Sequence, residues 1–234
     1  MLPVAILAGG LATRLYPITQ KIPKSLVEVA GIPFILRQLD YLQRQGITDV
    51  IMCIGYLGEQ IKALVGDGSS FGLKVNYSWD GHKLMGTGGA LRQALPLLGE
   101  QFFVFYGDSY LPIDFRKVEE VFRHSGKPAL MTVLRNGDLW DKSNVLFRDS
   151  SLIEYNKRIP RLEMTYIDYG LGILSAVALK DFPLNEPFDL ADIYHSLSVR
   201  GDLAGYEVFE RFYEIGSPKG LEETVEYFQK GEMT

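Results

Sequence analysis

Pro3-Val4-Ala5-Ile6-Leu7-Ala8-Gly9-Gly10-Leu11-Ala12-Thr13-Arg14-Leu15 is an apolar run that breaks at two adjacent glycines. A short apolar stretch closed in this way reads as a buried strand, residues 3–7, entering a tight loop. Just downstream, Ile35, Leu36, Leu39 and Leu42 recur at helical spacing, and Gly46 ends the pattern, so residues 32–45 read as a helix. A strand feeding a helix is the unit from which an α/β sheet is built.

The unit repeats. Residues 49–54, 73–79 and 102–106 read as strands, and residues 57–65 and 88–98 as helices. Alternation of this kind predicts a doubly wound, mostly parallel sheet of Rossmann-like type, joined by right-handed crossovers and covered on both faces. After Arg135 the rhythm changes. Residues 144–147, 152–155 and 167–174 read as short strands between polar turns, and residues 190–199 and 221–228 as helices. The expectation is a small antiparallel insertion and a closing helix that complete one domain, residues 1–234.

The bulk composition narrows the function. The chain has 234 residues, of which 47% are hydrophobic and 23% charged, enough for a full core. A formal net charge of −5 argues against nucleic acid or an anionic membrane as partner, because both require a surplus of Lys and Arg on one face. The single cysteine, Cys53, lies in an apolar run and reads as a buried, inert thiol. His82, His124 and His195 show no metal-ligand spacing, so no zinc site is expected. No basic stretch precedes an apolar run at the N-terminus and no stretch approaches a membrane span, so a cytoplasmic protein is expected. The number of copies in the assembly is not legible.

Ligands of open α/β sheets bind beyond the carboxyl ends of the strands. Four loops in such positions carry unusual chemistry. In the first, Leu7, Ala8, Gly9 and Gly10 bring bare backbone toward an anion, and Thr13 and Arg14 add donors for phosphate oxygens. The spacing is neither the dinucleotide fingerprint nor a P-loop. In the second, Pro23 stiffens the backbone before Lys24, a point charge for phosphate. In the third, Met85-Gly86-Thr87-Gly88-Gly89-Ala90 opens a helix, and its glycines leave room for a flat ring against the backbone. In the fourth, Gly107-Asp108 follows an apolar strand and offers a carboxylate to a hard cation such as magnesium. Asp80, just before the third loop, is a candidate for the guanine N1 and N2 donors, or simply a turn residue.

In this order the four loops resemble those of the sugar-1-phosphate nucleotidyltransferase family over nearly the whole chain. Residues 7–15 are similar to a G-G-x-G-T-R-L signature, with Ala12 where a third glycine is usual. Pro23-Lys24, residues 86–90 and Gly107-Asp108 match further family elements, and Phe212-Tyr213-Glu214-Ile215-Gly216-Ser217-Pro218 is similar to W-x-D-I-G-T-P, with Glu214 where a second metal-binding aspartate is usual. Tyr155-Asn156-Lys157 resembles a Glu-Lys-Pro element with Asn156 in place of the acid and Arg158 in place of the proline.

The resemblance implies that a nucleotidyl group passes from a nucleoside triphosphate, GTP or UTP, to a sugar 1-phosphate. It also implies magnesium held by Asp108 and Glu214, with Arg14, Lys24 and Asp108 as catalytic residues. Residues 1–135 would form the nucleotide-binding half and residues 136–234 the sugar-binding and closing half, in which Asn156, Lys157, Asp168, Tyr169 and Gly170 face the sugar phosphate. No C-terminal repeat domain of the kind some relatives use for acyl transfer is expected. Two competing readings are a non-catalytic sensor on the same fold and an NAD-linked dehydrogenase. The dehydrogenase would require the glycine spacing that is missing, followed by an acidic residue about 20 positions on.

Overall fold

The structure, a computed structural model, describes residues 1–232. Among the described residues there are thirteen strands: β1 (Val4–Leu7), β2 (Glu28–Val29), β3 (Ile32–Pro33), β4 (Asp49–Ile54), β5 (Lys74–Trp79), β6 (Gln101–Tyr106), β7 (Ser109–Tyr110), β8 (Ala129–Arg135), β9 (Val145–Arg148), β10 (Ser151–Tyr155), β11 (Tyr166–Ser175), β12 (Leu203–Val208) and β13 (Tyr213–Glu214). The helices are α1 (Phe34–Arg44), α2 (Gly58–Val65), α3 (Gly86–Leu98), α4 (Phe115–Ser125), α5 (Leu190–Val199) and α6 (Pro218–Glu232).

Nine strands make the central sheet, in the order β10-β9-β11-β6-β1-β4-β5, with β8 pairing both β11 and β12. From β5 to β6 every pairing is parallel, as expected of crossovers through α1, α2 and α3. Strand β11 then runs antiparallel to β6 and β8, while β12 returns parallel to β8. The antiparallel strands expected after Arg135 are present and continue the main sheet. Two further two-stranded ladders, β2-β3 and β7-β13, lie outside the sheet.

Alternation along each strand divides the core. Val4 and Ile6 of β1, with Phe103 and Phe105 of β6, face α1, α2 and α4, whereas Ala5, Phe102 and Val104 face α3 and α5. Both faces are thus apolar, which is why the strands read as continuous apolar runs. Each fully buried Ile or Phe contributes about 1.5–3 kcal/mol relative to exposure.

Three long elements escape the periodicity reading, as do the two-residue strands β2, β3, β7 and β13. Helix α4 was not expected, although Asp114 caps it by accepting from Arg116 N–H at 2.9 Å, and Phe115, Val118 and Phe122 form its buried stripe. Strands β8 and β12 were also not expected. Residues 32–33 pair with β2 instead of starting α1, because Pro33 supplies no N–H to a helix interior and stands at its N-cap. The helix expected at 88–98 begins earlier, at Gly86, and the closing helix begins at Pro218, a residue suited to a first turn.

Candidate active site

Strand β1 lies between β4 and β6, and the chain reaches these neighbours in opposite directions, so its carboxyl end is the switch point of the sheet. Two cavities meet there and share Tyr106 and Asp108 in their walls. The first is lined by Leu7, Ala8, Gly9, Gly10, Lys24, Asp80, Gly86, Thr87, Gly107 and Asp108 among others. The wall of the second includes Arg14, Asp108, Lys157, Asp168, Tyr169, Gly170 and Glu214.

The loop after β1 is tied to the sheet on both sides. Ala8 N–H donates to Cys53 O at 2.9 Å and Tyr56 N–H to Gly9 O at 3.2 Å. A Cβ on Gly9 would lie 3.1 Å from Gly55 N and 3.2 Å from Asp80 Oδ2, so glycine is needed for close approach. Ala12 adopts a left-handed conformation, φ 52° and ψ 45°, which explains why glycine suits this position. An alanine there costs about 1–2 kcal/mol. Thr19 Oγ1 donates to Ala12 O at 2.8 Å and holds the turn. The Thr13–Leu15 turn aims Arg14 at the second cavity, but Thr13 is exposed and lies outside both walls.

Lys24 and Asp108 face each other across the junction, with Nζ 2.5 Å from Oδ2 and both side chains less than a quarter exposed. Gln38, fully buried on α1, donates from Nε2 to Tyr106 O (3.0 Å) and Ser109 O (2.7 Å), the carbonyls that bracket Gly107-Asp108. Gly107 N–H donates to Leu7 O at 2.9 Å and Ile215 N–H to Asp108 O at 2.9 Å. The loop carrying Asp108 is therefore fixed from three directions.

Glu214 reaches the same point along the β7-β13 ladder, where it pairs with Ser109. A Cβ on Gly216 would lie 3.1 Å from both Arg14 Nη2 and Asp108 Oδ2, so Arg14, Asp108 and Glu214 converge on that glycine. The Glu214 carboxylate accepts from Gly216 N–H and from Ser217 Oγ (2.5 Å) at the start of α6.

A carboxylate has about four lone-pair positions, so these two bonds leave Glu214 capacity for a cation. Among the described residues no three His, Cys, Asp or Glu are grouped to hold a metal. Two carboxylates at the junction still fit magnesium, which is usually bound by one or two carboxylates plus substrate phosphates.

Asp80 accepts from Met85 N–H at 3.1 Å, and burial raises its pKa despite that bond. The neighbouring Cys53 is buried, and burial pushes its thiol up to about 12, so it carries no nucleophile at neutral pH.

The glycines of the third loop have a different cause from the one expected. Gly88 and Gly89 N–H donate to Phe188 O, at 3.0 and 3.3 Å, and Phe188 N–H donates to Met85 O at 3.1 Å. A Cβ on Gly86 or Gly88 would strike Phe188, and one on Gly89 would lie 2.8 Å from Glu186 O. Residues 186–189 occupy the space that a flat ligand was expected to use. Gly86 and Thr87 remain on the first cavity's wall, but Gly88 does not.

In the second cavity, Asp168 N–H donates to Asn144 Oδ1 at 3.1 Å, and Asp168 Oδ1 accepts from Gly170 N–H at 3.0 Å. Burial pushes the Asp168 carboxyl up to about 6, with Lys157 acting in the opposite direction. Asn156 lies outside the wall, because its Oδ1 accepts from Ile159 N–H at 2.9 Å and caps a turn. Tyr169 is buried edge-on to Phe212, with centroids 5.9 Å apart, and lines the wall, and among the described residues its buried hydroxyl has no hydrogen-bond partner.

Asp189 was missed. Its Oδ1 accepts from Thr87 Oγ1 (2.8 Å) and Ala191 N–H (3.0 Å), and its Oδ2 lies 3.9 Å from Lys157 Nζ. Burial opposes ionisation, but the Ala191 bond, Lys157 and Thr87 outweigh it and hold the carboxyl below its usual range. In the sequence Asp189 reads only as an N-cap before the apolar face of α5.

A family model described as nucleotidyl transferase matches residues 4–139, more than half of the chain. A D-glycero-α-D-manno-heptose 1-phosphate guanylyltransferase from Campylobacter jejuni is 30% identical over 92% of this chain and 94% of its own. An N-acetylmuramate α-1-phosphate uridylyltransferase from Neisseria meningitidis is 42% identical over 111 residues, about half of either protein. Among solved structures, HddC from Yersinia pseudotuberculosis, complexed with GMP-PN, superposes with a TM-score of 0.80 and 26% identity, over 97% of this chain and all of that one. The match of the model covers the strand-end loops that build the first cavity and carry Lys24 and Asp108, and the chain belongs to the nucleotidyl transferase family.

Proposed function

We propose that the protein transfers a nucleotidyl group from a nucleoside triphosphate to a sugar 1-phosphate, releasing pyrophosphate and forming a nucleoside diphosphate sugar. The observation that carries this reading is the junction itself. Lys24, Asp108 and Arg14 stand where two cavities meet, so that one cavity takes the triphosphate and the other the sugar phosphate.

The chemistry asks little of the protein beyond position and charge. A sugar 1-phosphate is largely dianionic at neutral pH, since its second pKa is about 6, and no general base is required. The barrier is bringing one polyanion in line with the α-phosphorus of another. Arg14, on the second cavity's wall at the junction, reaches across to the triphosphate, Lys24 leaves Asp108 to meet the α-phosphate, and Lys157 binds the sugar phosphate. Magnesium, held by Asp108 and Glu214, supplies electrostatic stabilisation of the phosphate oxygens when bound.

GTP is the favoured triphosphate. Asp80 is acceptor-only when ionised and stands on the first cavity's wall, where guanine N1–H and N2–H would both find it. The guanylyl specificity named for the Campylobacter relative supports the same reading.

A matrix of four nucleoside triphosphates against a panel of sugar 1-phosphates, scored by pyrophosphate release, tests both points. GTP with at least one sugar 1-phosphate should give turnover that neither substrate gives alone. The engagement of Glu214 by the α6 N-terminus favours one other reading, a sensor that binds without turnover. Triphosphate binding with no pyrophosphate from any pair would support it.

A further inference from the structure

Asp168 and Lys157 line the sugar side of the second cavity, and Asp189, outside that wall, is a second carboxylate facing the same lysine. Lys157 lies 3.9 Å from Asp189 Oδ2 and draws down the pKa of both Asp189 and Asp168. One oxygen of each carboxylate is bound by the fold, Asp168 Oδ1 by Gly170 N–H and Asp189 Oδ1 by Thr87 and Ala191. Among the described residues no hydrogen-bond donor reaches Asp168 Oδ2.

Other cations on the wall are engaged. Arg211 and Lys219 both face Glu223, at 2.6 and 3.8 Å, and Arg14 stands at the junction, where the triphosphate takes it. Once the sugar's own phosphate engages Lys157, Asp168 and Asp189 have no further cation to share. They then serve as acceptors for hydroxyl groups, and a second anion on the sugar meets like charge.

From this arrangement we infer that the sugar substrate is an uncharged, polyhydroxylated aldose 1-phosphate and that sugar acids are rejected, with Asp168 and Asp189 as the specificity-determining residues. The inference rests on the transferase reading above and adds the substrate class to it. Asp189 also ties this selection to the nucleotide side, because the Thr87 it holds stands on the wall of the first cavity.

The test is kcat/KM for mannose 1-phosphate, glucose 1-phosphate and a manno-heptose 1-phosphate against N-acetylmuramate 1-phosphate and glucuronate 1-phosphate, at saturating GTP. The best neutral sugar should exceed either acid by at least tenfold. Asp168→Asn should lower that kcat/KM tenfold or more, leave the KM for GTP unchanged and narrow the gap to the acids. Asp189→Asn, which retains a good helix cap, should do the same to a smaller degree. An acidic sugar turned over as well as the best neutral one, or an unchanged preference in both variants, overturns the substrate class while leaving nucleotidyl transfer standing. Pyrophosphate from no sugar of either class overturns both.

Discussion

Lys24 and Asp108 are 84 residues apart in sequence and meet with Nζ 2.5 Å from Oδ2 at the junction of the two cavities. A lysine held there by a carboxylate is placed at the junction before any phosphate arrives, and has only to exchange one anion for another when the α-phosphate binds. Lys24→Ala and Arg14→Ala should each lower kcat/KM at least about a hundredfold, the usual cost of about 2.7–4 kcal/mol for a lost charge-stabilising donor. Both lie on short loop turns, and the melting temperature should change little. Steady-state kinetics with GTP and the best sugar 1-phosphate check this, and unchanged kcat/KM in either variant removes that residue from the site.

Asp108 and Glu214 should differ in their dependence on magnesium. Asp108→Asn should raise the concentration needed for half-maximal rate and lower kcat, since a carboxylate at the junction is lost. Glu214→Gln should do so more mildly. It should also lower stability by about 1–2 kcal/mol, because an amide offers one acceptor where Gly216 N–H and Ser217 Oγ find two. Rate against magnesium concentration, alongside denaturant melts, separates the two effects. Loss of stability alone in Glu214→Gln would make Glu214 a structural residue of the α6 start.

Gly88→Ala tests the reason given for the third loop. Its Cβ would enter the Phe188 ring, so the variant should lose about 1–3 kcal/mol of stability through overpacking. A Phe188→Ala partner change should recover part of that loss, a coupling that denaturation of the double mutant measures. Full additivity of the two changes would mean that Phe188 is not what fills the space.

Much of the site's parts list was legible in sequence, because each part sits where an apolar strand ends in a glycine or a charged residue. Residues 49–54 and 190–199 were read with their observed bounds, since periodicity is strong there. Helix α4 was missed although its stripe of Phe115, Val118 and Phe122 is amphipathic, and β12 was missed because Gly205 and Glu207 interrupt its apolar run.

What sequence could not supply is which distant parts meet. The seat of Phe188 on Gly86 and Gly88 joins segments about a hundred residues apart, and so do the bond from Thr87 to Asp189 and the pair of Lys24 with Asp108. Asn156 matched a motif position, yet its side chain serves a local turn, and no neighbour in sequence marks that choice.

Asp168 should leave a signature in stability against pH. Burial raises its folded pKa from the model-peptide 3.8 to about 6, so the folded chain holds the proton more tightly than the unfolded one. The resulting penalty is fully present above about pH 6 and disappears as pH falls through 6 toward 4. Asp168→Asn should therefore be more stable than the wild type at pH 8, by about 1–3 kcal/mol after allowance for partial solvent access, with the gain vanishing near pH 4. Melts across that range provide the check. Activity profiles are less clean, because the sugar phosphate itself titrates near pH 6.

Direct attack of the sugar phosphate on the α-phosphorus is the central claim, and isotope position tests it most directly. Sugar 1-phosphate carrying oxygen-18 in its phosphate is incubated with GTP and magnesium, and the products are read by phosphorus-31 NMR and mass spectrometry. The account predicts that all of the label remains in the nucleoside diphosphate sugar, on the phosphate next to the sugar and in the oxygen that now bridges it to the nucleotidyl phosphorus, and that pyrophosphate is unlabelled. Label released as inorganic phosphate, or GTP bound with no pyrophosphate formed from any sugar 1-phosphate, would contradict it.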